Sequence, residues 1–442
     1  MPKATAPKVS KAPKKKKAQS AGELDDRFGL RTLKFPGASK TIGHGVAITP
    51  SGRIMVSATV EVSGLSYYGL VCLDANGDLY SNFGTGGYLH GQFASGLLSQ
   101  GGQLIVAANG LIYLCGVIGV IKNTTVEYQQ VIARFLPDGS PDIGFGDDKS
   151  GYRIVLTRIP LLTGATGGRL ILAKSTPQAA EPDRLLFVTS QKGSGLLARF
   201  HLDGSDDLSF ASKGWIVLTL PQVAITLLGI IQLGNGLILV FGKTEVTNQG
   251  LVMAFDSSGN VAEAFGNKGI LLLSLQKEGK PLESTVKQII EQTTERLLLL
   301  GSAVESIEGT KLQHAFISGF TGTGEEDETF NGKKPVITLT TQEKDLRHWK
   351  AGFALDDIAG KRIVTVGQTS GGERGLLTGG FLSNGAVDPA FKVEGAMDIS
   401  WAAIDACLQS SSILVLGRSN NNAQLVRLLT APAAKRRNTT GR

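Results

Sequence analysis

Arg134-Phe135-Leu136-Pro137-Asp138-Gly139-Ser140-Pro141-Asp142-Ile143-Gly144-Phe145-Gly146 is the stretch that decides the fold of this chain. An apolar run ends in a Pro-Asp-Gly turn, and an aspartate then stands three residues before a Phe-Gly pair. The same grammar recurs along the sequence. The phenylalanine returns at Phe28, Phe83, Phe145, Phe210, Phe265, Phe330 and Phe391, at intervals of 55, 62, 65, 55, 65 and 61 residues. The turn ahead of it returns at residues 72–77, 134–139, 199–204, 254–259, 319–324 and 380–385. A second marker keeps the same period: short apolar runs that close on a small residue, at 53–58, 111–116, 185–190, 237–242, 297–301, 362–367 and 413–417. Two unrelated markers at one period define seven units of about 60 residues.

Each unit has room for four short runs rich in Val, Ile and Leu, bounded by Gly, Asn, Asp and Pro. This is strand patterning rather than helical patterning. Residues 223–242 are long and apolar enough to suggest a membrane span. The turn sequence Gln232-Leu233-Gly234-Asn235-Gly236 interrupts them, so they read as two strands. Val286, Ile289 and Ile290 have helical spacing, yet they occupy a strand slot of their unit. Seven units of four strands predict an all-β fold, a seven-bladed β-propeller. A lone blade cannot bury both faces; a ring of blades buries each face against its neighbour. A parallel β-solenoid would use shorter rungs.

The units are offset from the chain ends. Residues 24–29 are the end of a unit without its beginning, and residues 396–430 are a beginning without that end. Leu24 and Phe28 are therefore expected to dock beside Leu425 and Val426 and close the ring. The domain reading is a Lys-rich tail over 1–22, the propeller over 23–430 and a basic tail over 431–442.

The units resemble the bacterial delta-60 repeat, which reads approximately LDxxFG, then DGKIVVAG, then ARxxxDGxLDxxFG. The match rests on Leu24-Asp25 with Phe28-Gly29, on residues 134–146, on Arg199-Phe200 with Asp203-Gly204, and on residues 360–367. It covers about residues 23–430. The resemblance implies a propeller-like fold and transfers no catalytic residue. Phe210-Ala211, Phe330-Asn331 and Phe391-Lys392 depart from it by lacking the glycine.

Of the 442 residues, 42% are hydrophobic and 19% charged, which excludes wholesale disorder. Cys72, Cys115 and Cys407 are too few and too scattered for a disulfide scaffold, and they read as buried free thiols in a reducing compartment. The formal net charge of +7 sits in the tails. Lys3, Lys8, Lys11, Lys14, Lys15, Lys16 and Lys17 precede the first acid, and Lys435, Arg436, Arg437 and Arg442 follow the last. Without these eleven of its 45 basic residues the body is mildly acidic, with 38 Asp and Glu. The tail composition predicts extended chain that attracts polyanions such as nucleic acid or an anionic surface, in a salt-dependent way. Lys3, Lys8, Lys11, Lys14, Lys15, Lys16, Lys17, Lys435, Arg436 and Arg437 are the candidate polyanion-binding residues. The charged N-terminal stretch leads into no apolar segment, so no secretory signal, no transmembrane segment and a cytoplasmic location are expected.

Motifs for chemistry are sparse. Asp74-Ala75-Asn76-Gly77-Asp78 resembles the start of a calcium loop, but its twelfth position is Thr85, and it reads as a turn. Residues 236–244 have one residue too many between their glycines for a phosphate loop. His44, His90, His201, His314 and His348 show no zinc-ligand spacing. His348-Trp349, flanked by Arg347 and Lys350, reads as a half-buried tryptophan with a solvated charged fringe. No catalytic residue, metal or cofactor is expected. The functional expectation is a non-catalytic interaction scaffold that binds a protein partner and is tethered to an anionic polymer by its tails. A glycan-binding or cell-envelope protein is the alternative. A propeller enzyme with a channel-mouth site, where Asp356-Asp357 could lie, is the second.

Overall fold

The computed structural model describes residues 19–122, 125–146, 149–155, 168–174, 183–191, 193–339, 346–357, 360–370, 375–391 and 401–431. The chain is an all-β, seven-bladed propeller. Its first blade joins Lys40–Ile48, Ile54–Val62, Leu65–Leu73 and Tyr88–Gly91 in sequence order, each antiparallel to the last. Blades 2 to 5 repeat this meander from Leu98–Val106, Arg169–Ala173, Ile225–Gln232 and Glu283–Thr293. Blade 6 shows Leu346–Asp357, Gly360–Ser370 and Gly375–Leu382, and residues 392–400 lie outside the described residues. Blade 7 joins Ala402–Gln409, Ser412–Ser419 and Asn422–Leu429, and its fourth strand is Arg31–Leu33 from the other end of the chain. The first strands of successive blades touch, and that of blade 7 touches that of blade 1. They line the central channel. Among the described residues no α-helix is present. Residues 223–242 are two strands, Ile225–Gln232 and Ile238–Thr244, around a turn. Val286, Ile289 and Ile290 lie on the strand Glu283–Thr293.

The core is divided among the junctions between blades. Seven apolar clusters form, and each draws side chains from two neighbouring blades. The cluster between blades 1 and 2, for instance, packs Leu70 and Phe83 against Leu114 and Phe135. Each sheet thus stays a strand-paired unit, while hydrophobic burial acts only when neighbours stack.

The recurring phenylalanine is the pin of each junction. Phe145 is fully buried and lies under Gly204, the turn glycine of the next blade. Gly204 has φ +90°, and a Cβ there would stand 2.9 Å from the Phe145 ring. Both the left-handed conformation and the missing side chain are required. The same ring-under-glycine contact pairs Phe83 with Gly139, Phe210 with Gly259, Phe265 with Gly324 and Phe330 with Gly385. Phe28 makes it with Gly77 of blade 1, so the N-terminal segment joins the ring through the contact used inside it.

An aspartate and an arginine hold five of the pins in place, while Phe83 and Phe265 have Tyr80 and Ala262 at the aspartate position. Asp142 uses one carboxylate oxygen to accept the Gly144 N–H at 3.0 Å, shaping the tight turn into Phe145. Its other oxygen pairs with Arg134 at 2.8 Å. Arg134 lies over the Phe145 ring and donates to the Leu202 carbonyl of blade 3. Arg199 and Asp207 repeat this toward Ser257 of blade 4. Burial opposes ionisation of Asp207, but hydrogen bonds from Ser209 and Arg184 and the Arg199 charge outweigh it and hold its carboxyl well below the usual range. At the chain ends Asp25 pairs with Arg427 at 2.7 Å, and Arg427 reaches the Ala75 carbonyl of blade 1. Leu24 forms an antiparallel bridge with Leu428, and Leu425 and Val426 are fully buried. Ala21 bridges Phe391, in the junction where blade 7 has no such turn.

The residue after five of the pins, Gly84, Gly146, Ala211, Gly266 and Asn331, is left-handed, and its N–H reaches the neighbouring turn. Gly146 donates to the Asp203 carbonyl at 2.8 Å, and Ala211 donates to that of Ser258 at the same distance. Ala211 holds φ +49° and Asn331 φ +48°, where a side chain costs energy that glycine avoids. Ala211→Gly should therefore raise the stability in chemical unfolding by about 1 kcal/mol. Asn331→Gly should gain less, since asparagine tolerates this region. A loss of stability in Ala211→Gly would contradict the assignment.

Candidate functional site

In blades 4, 5 and 6 the small residue that ends the second strand has a cause on the first. In blade 5, Val286 pairs with Gly301 and Gln288 with Leu300, leaving Lys287 as an extra residue, a β-bulge. The bulge pushes the Thr285 carbonyl to within 1.9 Å of where a Gly301 Cβ would sit. Blade 6 repeats this with Lys350 as the extra residue and the His348 carbonyl against Gly367. Blades 1, 4 and 7 bulge at His44, Leu228 and Ile404, opposite Ala58, Gly242 and Gly417. In blades 4, 5 and 6 the small residue thus answers a carbonyl of the first strand, whereas Gly417 of blade 7 makes room for the Trp401 ring.

Side chains beside the bulges tie the first strands together across blades. Asp405 accepts the Val46 N–H at 3.0 Å, joining blade 7 to blade 1. Gln103 accepts the Leu170 N–H at 2.8 Å, joining blade 2 to blade 3. Gln288 does the same for Gly352, joining blade 5 to blade 6. A bulge re-aims its side chain, and here it places charge in the channel. Lys287 and Lys350 are half-buried, and burial brings both ammonium groups down to about 8. Lys350 depresses Lys287 further, and Arg169 depresses Lys350. His44 is pulled down to about 4 by burial and by the Arg169 and Arg418 charges. His348 falls to about 3 through burial, Lys287 and Lys350. At neutral pH both histidines are therefore uncharged. Asp405 faces the cations, and its burial nonetheless pushes its carboxyl upward.

A second region is the face that carries the turns between first and second strands and the loops between third and fourth. The meander places these on one side of the disc. Leu79, Ile143, Leu208, Val261 and Val387, one from each of five blades, are exposed there, Ile143 and Leu208 to 66% and 65%. A cavity of about 690 Å³ opens on the same face, lined by Gln292, Arg296, Asp327, Thr329, Lys361 and Ser383. Arg296 is already committed to Asp327, Gln292 and the Ser383 carbonyl. The cavity therefore belongs to the junction machinery of blades 5 and 6.

The tail lysines Lys3, Lys8, Lys11, Lys14, Lys15, Lys16 and Lys17, with Lys435, Arg436 and Arg437, lie outside the described residues. Asp74 accepts the Asn76 and Asp78 N–H groups with one oxygen, at 2.8 and 3.0 Å, which is turn chemistry. Trp349 is 1% exposed and packs edge-on against Phe381, so it has no solvated fringe. The alternation of the strand is broken at Lys350, which turns Trp349 inward and the lysine toward the channel. Cys72 and Cys115 are buried, and Cys407 is half-buried. Burial pushes the Cys72 thiol to about 11 and the Cys115 thiol to about 12, so neither is a nucleophile at neutral pH. Among the described residues no three His, Cys, Asp or Glu side chains are grouped to hold a metal ion. No helix there is long and apolar enough to cross a membrane. Sequence reading passed over Arg169, Lys287 and Lys350. One signal was present: His44 and Lys287 each stand fourteen residues before the small residue of the second strand, Ala58 and Gly301.

No protein-family model matches the chain, and no curated protein sequence matches it. Solved structures resemble it over most of its length at low identity. BamB from Moraxella catarrhalis is 10% identical, with a TM-score of 0.38 over 93% of this chain and 97% of that one. Sqt1 from Chaetomium thermophilum is 12% identical, with a TM-score of 0.42 over 92% of this chain and 100% of that one. A GH32 β-fructofuranosidase from Bombyx mori is 11% identical, with a TM-score of 0.31 over 92% of this chain and 93% of that one. These likenesses assign no activity.

The channel lysines have a measurable cost. Lys287 falls from 10.5 to about 8 on folding. Between those values the unfolded chain binds more protons than the folded one, so the contribution of Lys287 to stability rises with pH across that window. Below pH 8 its full penalty remains. Lys287→Met should raise the melting temperature at pH 7, and its advantage should shrink between pH 8 and 10.5. An advantage independent of pH would show that packing, not charge, is responsible.

Proposed function

We propose that the chain is a non-catalytic scaffold of the bacterial delta-60 repeat type, which docks a protein partner on its turn face and is tethered to an anionic polymer by its basic ends. The apolar ring on that face carries the reading. The position of Leu79, Val261 and Val387, four residues before the pin, holds Asp206 in blade 3 and Glu326 in blade 5. The position of Ile143 and Leu208, two before the pin, holds Glu263 in blade 4 and Glu328 in blade 5. The blade therefore places no apolar demand on either position. Exposed apolar side chains that the fold does not need mark a contact surface.

The tether reading is supported by where the described chain ends lie. Gly22 donates to the Leu429 carbonyl at 2.8 Å, so both ends leave the ring at blade 7. Basic residues beyond them would emerge beside one another from a mildly acidic disc. Attraction to a polyanion would then weaken steeply with salt.

The docking reading is tested by affinity capture from the native host in 0.5 M salt, which suppresses the tail contribution. Ile143→Asp with Leu208→Asp should abolish capture of the partner. Leu65→Asp with Val246→Asp, on the opposite face, should leave it intact. Loss of the partner only in the opposite-face variant, or its retention in both, would refute the assignment.

A further inference from the structure

Arg169 opens the first strand of blade 3, and Lys287 and Lys350 are the bulged residues of the first strands of blades 5 and 6. The first strands surround the channel, and two bulges turn ammonium groups into it. The charge of Arg169 acts on Lys350 of blade 6, Asp405 of blade 7, His44 of blade 1 and Cys115 of blade 2. Arg169, like Lys287 and Lys350, stands on a first strand, and the first strands meet around the channel. Lys287 and Lys350 likewise act on one another across their junction.

Three cations thus converge, and one carboxylate opposes them. None of the three forms an ion pair among the described residues. Asp405 is held to the Val46 N–H, so its position is fixed by the backbone of blade 1. His44 and His348 are neutral neighbours, and the His44 ring nitrogen is 2.7 Å from the Thr59 hydroxyl. Three like charges set against one carboxylate in a half-buried space are unfavourable in the empty protein, and a bound anion lowers that cost. A guanidinium beside two ammonium groups suits an oxyanion with more than one charge: the guanidinium offers a planar fork, the ammonium groups compact point charges.

We propose that the central channel is a binding site for a small multivalent oxyanion, held by Arg169, Lys287 and Lys350. The site lies on the axis and is separate from the apolar ring, so it stands whether or not a protein docks on the turn face. Asp405 sets the selectivity: it repels the anion at one side and limits binding to ligands that can engage all three cations.

Isothermal titration of the full-length chain with inorganic pyrophosphate in 0.1 M salt tests this. The tails are identical in every variant, so differences report the channel. Lys287→Met with Lys350→Met should weaken binding at least tenfold while the melting temperature without ligand is unchanged or higher. Asp405→Asn, which can still accept the Val46 N–H, should tighten binding severalfold. Equal affinity in the wild type and the double lysine variant would place the anion on the tails and overturn the proposal. So would weaker binding in Asp405→Asn, or no binding at 1 mM pyrophosphate.

Discussion

A phenylalanine ring lying under the turn glycine of the next blade is the contact on which this ring depends. Everything else at a junction serves it. At five of the seven pins an aspartate three residues earlier shapes the turn and pairs with an arginine, which at Phe28, Phe145 and Phe210 lies over the ring and crosses to the next blade. At five junctions the residue after the pin turns left-handed, and its N–H meets the next turn. Because hydrophobic burial occurs between blades, a blade is stable only through its neighbours, and the end of the series must be joined to its start. Phe28 and Asp25 bring to blade 7 the pin and carboxylate that its own third strand lacks, and Arg31–Leu33 adds its outer strand.

The inner circumference follows a different rule. Seven strands meeting around a narrow channel leave little room, and bulges let them bend. In blades 4, 5 and 6 the bulge thrusts a carbonyl at the second strand, which must then be small there, and the extra residue re-aims one side chain. In blades 4 and 7 that side chain is apolar. In blades 5 and 6 it is lysine, and the fold bears the cost of unpaired charge. Such a cost, concentrated in one place, is what marks the channel as more than a by-product of geometry.

The period and the strand grammar were legible because each junction needs the same few residues. Phenylalanine, turn glycine and the closing small residue recur for physical reasons, so they could be counted without knowing those reasons. That two of the markers touch was not legible, since Phe145 and Gly204 are 59 residues apart and belong to different blades. The small residues were legible only as a period marker, and the structure sets Gly242, Gly301 and Gly367 against bulge carbonyls. The bulges also hid the channel cations. A strand read by strict alternation sends Lys287 and Lys350 to the wrong face, because one extra residue reverses the parity. Departures from the pattern were informative in themselves: Ala211 and Asn331 keep the left-handed backbone that glycine normally supplies.

The central claim is that the closing junction is held by the same contact as an internal one. Chemical unfolding of Phe28→Ala beside Phe145→Ala measures this directly. Both rings are buried, at 2% and 0% exposure, and each substitution should cost about 3–5 kcal/mol. A large loss in Phe145→Ala with none in Phe28→Ala would show that the chain ends do not close the ring through this contact.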